Sequence, residues 1–362
     1  MYKIELNNEH REEARVRDMN KIKRVAEINM ALHRGLDTSK YGKEVDSTVE
    51  LMSKLGSRAA AGDTTARAEL NTIFKIGIEP LLVKQMQIYS LLGNYKTIGM
   101  DATPVKHTWT YENLGAGIQA KGSDVSFADR KEISYPIKTQ TISAGMRYNY
   151  REFESKDFLG TNAQEIEQIQ TIMHNKGVTY VLGVLKDALK NNTTGVKFYE
   201  EYSGNLTQTA IDNMVTKIRR MGKVSILSDY NNIATISGFN GYKNAESTPL
   251  PFYTDSQVDE IAKQGYNGDY KGSNLIVLPN GYNFAKPLAD KSAFETYINT
   301  DDIYFVPQGV TSPVDIIRRG GLTTMAGNDV STGSVITRFD MELGADVTKG
   351  REFEIGLVTK AD

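Results

Sequence analysis

Residues 161–190 read TNAQEIEQIQTIMHNKGVTYVLGVLKDALK and carry the strongest helical signal in the chain. Ile166, Ile169, Met173, Gly177, Tyr180, Val184 and Ala188 recur at spacings of three and four, the period of one helix face. Thr161 with Gln164, or Asn162 with Glu165, supplies a capping box at the start. Lys186 and Lys190 fall at the end, where the helix dipole favours cations, and NNTTG at 191–195 stops the run. At 1.5 Å per residue such a helix is about 45 Å long. That length suits a flattened or extended subunit better than a compact one.

Before this helix the period changes to two. VKHTWTYEN (105–113) alternates Val105, His107, Trp109 and Tyr111 with polar residues, and SYPIKTQTISAGMRYNYREFE (134–154) is a second extended run. The polar, Gly-containing stretch LGAGIQAKGSDVSFADRKE (114–132) lies between them as a tip. Two long strands joined this way predict a projecting hairpin. Such a hairpin has little core of its own and needs a neighbour for support.

Further upstream, DTTARAELNTIFKIGIE (63–79) reads as a helix with Asp63 as its N-cap. Pro80 then opens a second helix, PLLVKQMQIYSLL, which Gly93 stops. Residues 1–62 are highly charged and poor in aromatics. Between Glu9 and His33 only Met19, Ile22, Ala26 and Met30 give an apolar stripe, so this arm needs a partner surface to form a stable helix.

Downstream, residues 205–320 alternate helix and strand: TQTAIDNMVTKIRRMG is amphipathic, KVSILSDYNNIATIS is a strand leading into a helix, and SNLIVLPN, DIYFVPQG and VDIIRRGG are strands. The tail GSVITRFDMELGADVTKGREFEIGLVTK (333–360) reads as two strands, with Phe339, Met341 and Leu343 on one and Phe353, Ile355 and Leu357 on the other, and with the turn at Asp346–Gly350.

The bulk composition narrows the function. The 362 residues are 40% hydrophobic and 24% charged, an ordinary globular balance. The absence of cysteine excludes disulfides, thiolate metal sites and cysteine nucleophiles. The net charge of −2 provides no field to draw the chain onto nucleic acid, although a container for DNA needs none. The N-terminus MYKIELNNEHREEARVRDMNKIKR lacks the apolar segment of a signal peptide, and no run of about 18 apolar residues spans a membrane.

Catalytic patterns are missing. His10, His33, His107 and His174 have no metal-site spacing, no G-x-S-x-G elbow occurs, and neither Gly-rich stretch has the order of a phosphate loop. Neither a catalytic residue nor a cofactor or metal ligand is therefore expected. The pairs Arg219–Arg220 and Arg318–Arg319 read as isolated basic spots.

Taken together, EIAKQGYNGDYKGSNLIVLPN (260–280) with Gly265, Gly268, Tyr270, Gly272 and Asn280, MGKVSILSDYNNIATISGF (221–239) and DDIYFVPQG (301–309) resemble the major capsid proteins of tailed bacteriophages, which have the Hong Kong 97-like fold. The resemblance covers roughly residues 95–358 and rests on the order of elements. It implies an α+β capsid fold: an N-terminal arm and helices (1–94), an extended hairpin loop and peripheral domain with spine helix 161–190 (95–204), an axial domain (205–325) and closing strands of the peripheral domain (326–362).

The function implied is structural. The subunit is expected to assemble as hexamers and pentamers into an icosahedral head around double-stranded DNA, without sequence-specific binding. Scaffolding, portal and decoration proteins would be further partners. The expected place is the virion, after assembly in the host cytoplasm. An encapsulin-like shell around a cargo enzyme is the alternative, and an α+β enzyme or binding module is a third reading that the missing catalytic motifs oppose. Candidate subunit contacts are Trp109, Tyr111, Lys121, Arg130, Arg318 and Arg319. Lys121, on the hairpin tip, is also where the resemblance raises Lys–Asn isopeptide cross-linking. Some relatives lose an N-terminal scaffolding segment to a protease; with Met1 opening this sequence, no such removal is expected.

Overall fold

A computed structural model describes residues 20–28, 31, 37–85, 88–112, 115, 118, 127–149, 158–191, 195–196, 198–239, 242–243, 249–250, 255–309, 311–329, 331 and 334–361. Met19, Met30, His10, His33 and most of the hairpin tip, Lys121 included, lie outside these residues.

In chain order the helices and strands begin with α1 (Glu44–Ala60), α2 (Thr64–Gln85), a single turn at Tyr89–Leu92, β1 (Asn94–Ile98), β2 (Val105–Glu112), β3 (Asp129–Pro136) and β4 (Thr139–Asn149). The long helix α3 spans Phe158–Lys190. After it come β5 (Tyr199–Tyr202), α4 (Gln208–Arg219), β6 (Lys223–Ser228), α5 (Tyr230–Gly238), the short pair β7 (Tyr242–Lys243) and β8 (Pro249–Leu250), and α6 (Asp255–Gln264). The rest is strand: β9 (Asp269–Tyr270), β10 (Ser273–Val277), β11 (Tyr282–Pro287), β12 (Phe294–Thr296), β13 (Ile303–Gln308), β14 (Val314–Asp329), β15 (Ser334–Val347) and β16 (Gly356–Lys360).

Two compact units emerge. One comprises Met1–Ile88, Thr141–His174 and Gly320–Glu342. In it α1 packs on α2, burying Met52, Leu55 and Ala59 with Leu70, Ile73 and Phe74. The buried positions Thr48, Met52, Leu55 and Ala59 follow helical spacing inside a stretch whose charge hides it. Asp63 caps α2 as expected, accepting from the Thr65 and Ala66 amides at 2.9 and 3.3 Å.

The helix break expected at Pro80 does not occur, because α2 runs through it to Gln85. A proline inside a helix forfeits one backbone bond. The bond forfeited is the one to the Ile76 carbonyl; the nearby Ile78 carbonyl accepts Gln170 Nε2 at 3.0 Å, which ties α2 to α3. Farther upstream, residues 20–28 are helical, with Ala26 of the expected stripe buried and Met19 and Met30 outside the described residues, and Ile28, Ala31 and Tyr41 form a small cluster.

The other unit comprises Tyr89–Gln140, Asn175–Arg319 and Leu343–Asp362. Its centre is a six-stranded sheet in the order β5-β16-β13-β6-β10-β9. Strand β6 runs parallel to β10 and antiparallel to β13. Its pattern, with Val224, Ser225, Ile226, Leu227 and Ser228 all buried, belongs to a strand covered on both faces. Helix α4, capped by Thr207 Oγ1 on the Ala210 amide, buries Ile211, Met214, Val215 and Ile218 against Val224, Ile226, Ile303, Phe305 and Val358. Helix α5, capped by Asp229, adds Ile233 and Ile236.

Three expectations need correction. Helix α3 starts at Phe158, so Thr161, Asn162 and their partners lie inside it rather than at its cap. Its fully buried face is Ile169, Met173, Val178, Val181, Leu182, Leu185 and Leu189, one stripe over from the Gly177–Val184 stripe, because the larger Leu side chains bury more apolar area.

The second extended run does not form one strand. Strand β3 begins in the supposed tip at Asp129 and ends at Pro136, with one further bond from the Ile137 amide to the Pro104 carbonyl at 2.8 Å closing the ladder. Strand β4 then joins a different sheet, β1-β14-β15-β4.

The tail strands likewise do not pair with each other. Strand β15 lies in that four-stranded sheet, whereas β16 enters the six-stranded sheet between β13 and β5. Phe353 sits in a 3₁₀ turn. The turn is locally stapled by the Arg351–Glu354 ion pair at 2.6 Å and by the Gly350 amide donating to Glu352 at 2.8 Å, which redirects the chain.

Candidate functional site

Among the described residues the β2–β3 hairpin forms a two-stranded sheet of its own. Its register pairs Val105 with Pro136, His107 with Ser134, Trp109 with Glu132 and Tyr111 with Arg130. Residues directly opposite share a face, so these pairs form one strip. The strip is exposed at Val105, His107, Trp109, Arg130, Glu132 and Ser134, and Trp109 alone leaves 44% of its surface open. The Arg130 guanidinium carbon stands 3.3 Å from the Trp109 ring centroid, a cation–π stack. His107 Nδ1 lies 3.1 Å from Glu132 Oε1. The strip thus combines a tryptophan face with an arginine, two residue types enriched at interfaces, and a His–Glu contact beside them.

The other face of the hairpin is anchored at its base. Lys106 and Tyr135 stand opposite each other in the ladder. The Lys106 ammonium pairs with the buried Asp315 carboxylate of β14. The Tyr135 hydroxyl accepts the Lys349 amide at 3.2 Å, and the Lys349 ammonium lies 4.6 Å from the Tyr135 ring centroid.

Burial pushes the Tyr135 hydroxyl up to about 12; the Lys349 amide opposes this, and the Asp346 and Asp315 carboxylates reinforce it. Burial likewise raises the Asp346 carboxyl. The Tyr135 hydroxyl, Lys349 and Lys106 hold it down in part, and Asp315 adds repulsion. The backbones close in as well, since a Cβ on Gly344 would meet Thr139 Cγ2 at 3.0 Å and the Lys138 carbonyl at 3.1 Å. This arrangement performs no covalent chemistry that its geometry suggests; it fixes the root of a ribbon and leaves one face open.

Of the six candidate contacts, Trp109 and Arg130 come together. Tyr111 follows Trp109 by two residues in β2, with its side chain outside the described residues, and Lys121 lies outside them altogether. Arg318 and Arg319 sit on β14 beside Thr97 and Ile98 of β1, apart from the strip. Arg318 is 3% exposed and Arg319 half-buried, so this pair is no solvated basic spot.

His174 is buried on α3, which lowers its pKa. Among the described residues no group of three or more His, Asp or Glu side chains is arranged to hold a metal ion, and no described helix is long and apolar enough to cross a membrane. Sequence reasoning missed the base cluster of Lys106, Tyr135, Asp315, Asp346 and Lys349. Its members are scattered over more than two hundred positions and share no period.

A family model described as "SPbeta prophage-derived putative capsid protein YonB" matches residues 14–359. No curated protein matches the chain. Solved structures similar to it include one from Mycobacterium phage Patience, at 11% identity over 81% of this chain and 88% of that one, TM-score 0.48. Another is titled "Capsid of native GTA particle computed with C5 symmetry", at 12% identity over 75% and 89%, TM-score 0.48. A third is from Gordonia phage Cozz, at 12% identity over 76% and 86%, TM-score 0.47.

Proposed function

The chain belongs to the YonB family of prophage-derived capsid proteins, and from that premise we propose that it is the repeating subunit of a phage head, closing as hexamers and pentamers into an icosahedral shell around double-stranded DNA. It is a structural capsid component of the virion with an α+β, Hong Kong 97-like fold. The observation that carries the reading is the family match along nearly the whole chain.

The hairpin gives the reading a physical form. Its Trp109–Arg130 face lies against no described surface of its own chain and suits a neighbouring copy. Each such contact is weak, and closure of a symmetric ring makes many of them cooperative. No residue does covalent work in this reading: the function is geometry. DNA is enclosed without base readout, assembly takes place in the host cytoplasm, and scaffolding, portal and decoration proteins act as partners. The family description favours a virion over an encapsulin-like compartment.

The test is negative-stain electron microscopy of the chain expressed alone and treated with nuclease. Closed shells or ring-shaped capsomers are expected. Monomers that persist on co-expression with the neighbouring viral genes would overturn the reading. The 260/280 nm absorbance ratio of natural particles then separates a genome container from a protein-filled compartment.

A further inference from the structure

The six-stranded sheet has two free edges, β5 and β9, with four strands between them. At the usual strand spacing they are about 24 Å apart. One carries a pair of glutamates; at the other the strand's own charged residue is the exposed Asp269, beside a cleft rich in cations.

At the β9 edge, Lys271 and Gly272 form the two-residue turn into β10, with φ of 49° and 76°. Turns of this hand favour Asn-Gly or Asp-Gly, because a lysine resists positive φ. Lys271 is nevertheless held there. Its ammonium lies 2.8 and 2.7 Å from the two Asp212 carboxylate oxygens, and its carbonyl accepts Arg219 Nη1 at 2.8 Å. An open cleft of about 480 Å³ lies between this turn and the end of α4, lined by Asp212, Thr216, Arg219, Arg220 and Lys271 among others. It holds three cations to one carboxylate, and Arg220 is exposed in it. A local rule broken and then stabilised by specific contacts marks a place where function, not folding, sets the sequence.

At the opposite edge, β5 reads Tyr199-Glu200-Glu201-Tyr202 and pairs with β16 on one side only. Glu200 and Glu201 are its charged residues, and Glu201 is exposed and bonded to the Tyr199 hydroxyl. Two cations flank the strand: Lys190, 5.3 Å from the Tyr199 ring centroid, and Lys360, opposite Tyr202.

We infer that the basic cleft at the Lys271–Gly272 turn is a socket for the Glu200–Glu201 edge of a neighbouring copy of this chain. A two-fold contact through either edge alone would set like charges against each other. A glutamate pair at one edge and a cation-rich cleft at the other instead favour head-to-tail packing, the arrangement that closes rings. The inference rests on the shell reading and adds to it the residues and polarity of one contact.

The chain has no cysteine, so introduced thiols are the only ones present. Full-length E201C and R220C chains are assembled together and treated with a short bismaleimide. A covalent dimer holding one of each is expected from the mixture and from neither variant alone, and the double variant gives a ladder up to ring size. In parallel, R220E and E201R each lower the assembled fraction about tenfold at low salt, and combining them restores it, as pairing across a charged interface requires.

Multimers without the mixed cross-link, or cross-linking of either variant with itself, overturn the socket while the shell stands. Full assembly of R220E with loss of nuclease-protected nucleic acid would assign the cleft to phosphate and overturn it too. If the unaltered chain forms no multimer even when co-expressed with the neighbouring viral genes, the shell reading fails and takes the socket with it.

Discussion

Lys186 places its ammonium 2.8 Å from one carboxylate oxygen of Asp302 and 3.0 Å from the other. Asp302 is 4% exposed, also accepts the Thr359 hydroxyl, and offers its carbonyl to Ser228 Oγ at 2.8 Å. One buried carboxylate therefore ties the last turns of α3 to β6, β13 and β16. Removing the cation leaves a buried charge without its counter-ion. Lys186→Met is expected to destabilise the fold by about 3 kcal/mol, the lower end for a broken buried pair because the lysine is partly exposed. The drop in urea midpoint measures it, and Lys186→Arg, which keeps the charge, is expected to lose less.

Gly93 joins the turn at Tyr89–Leu92 to β1. A Cβ there would lie 2.6 Å from the Val314 carbonyl oxygen and 2.7 Å from Val314 Cβ. The obstacle is partly backbone on β14, held in parallel register with β1, so it cannot swing aside. Gly93→Ala is expected to cost about 1–3 kcal/mol by overpacking. Thermal unfolding reads the effect; an unchanged midpoint would show that β1 is free to shift.

Asp346 titrates above its ordinary value because burial penalises its charged form, with repulsion from Asp315 adding to the rise. A raised pKa in the folded chain means that the folded state holds the proton more tightly. The stability this group lends is complete below its unfolded value, about 3.9, and is lost as pH rises through the folded value. Asp346→Asn stays neutral throughout, so its stability relative to the parent chain should grow with pH across that window and level off above it. Parallel pH profiles for the two proteins in urea titrations would count against this account.

Trp109 and Arg130 stack in the open. An exposed cation–π contact is worth about 0.5–1 kcal/mol, so Trp109→Ala should barely move the unfolding midpoint. Its effect is expected in the fraction of chain that sediments as particles. Equal losses in stability and assembly would mean that the indole serves the hairpin itself.

Much of this molecule was legible because it is periodic. Helix α4, strand β6 and the hairpin strand β2 announce themselves through local spacing, and Asp63 and Thr207 mark helix starts by their chemistry. The failures share one cause: the deciding contact is remote. Nothing near Pro80 says that α2 will run on through it and meet Gln170, and nothing near Phe353 says that β16 will leave β15 for another sheet. The same holds for the site. Trp109 could be picked out as an aromatic on an alternating strand, but the Lys106–Asp315 and Tyr135–Lys349 anchors join distant segments, and no window of sequence contains them.

The position of β16 also has a consequence in time. Strand β5 bonds to no strand of its sheet except β16, and β16 ends at Lys360. A ribosome adds about 5–20 residues per second, so the edge bearing Glu200 and Glu201 waits on the order of ten seconds or more, after it has been made, for the strand that fixes it. Nascent chains crowded on one message therefore emerge without a finished edge to offer one another, and that edge matures long after its own residues have been made.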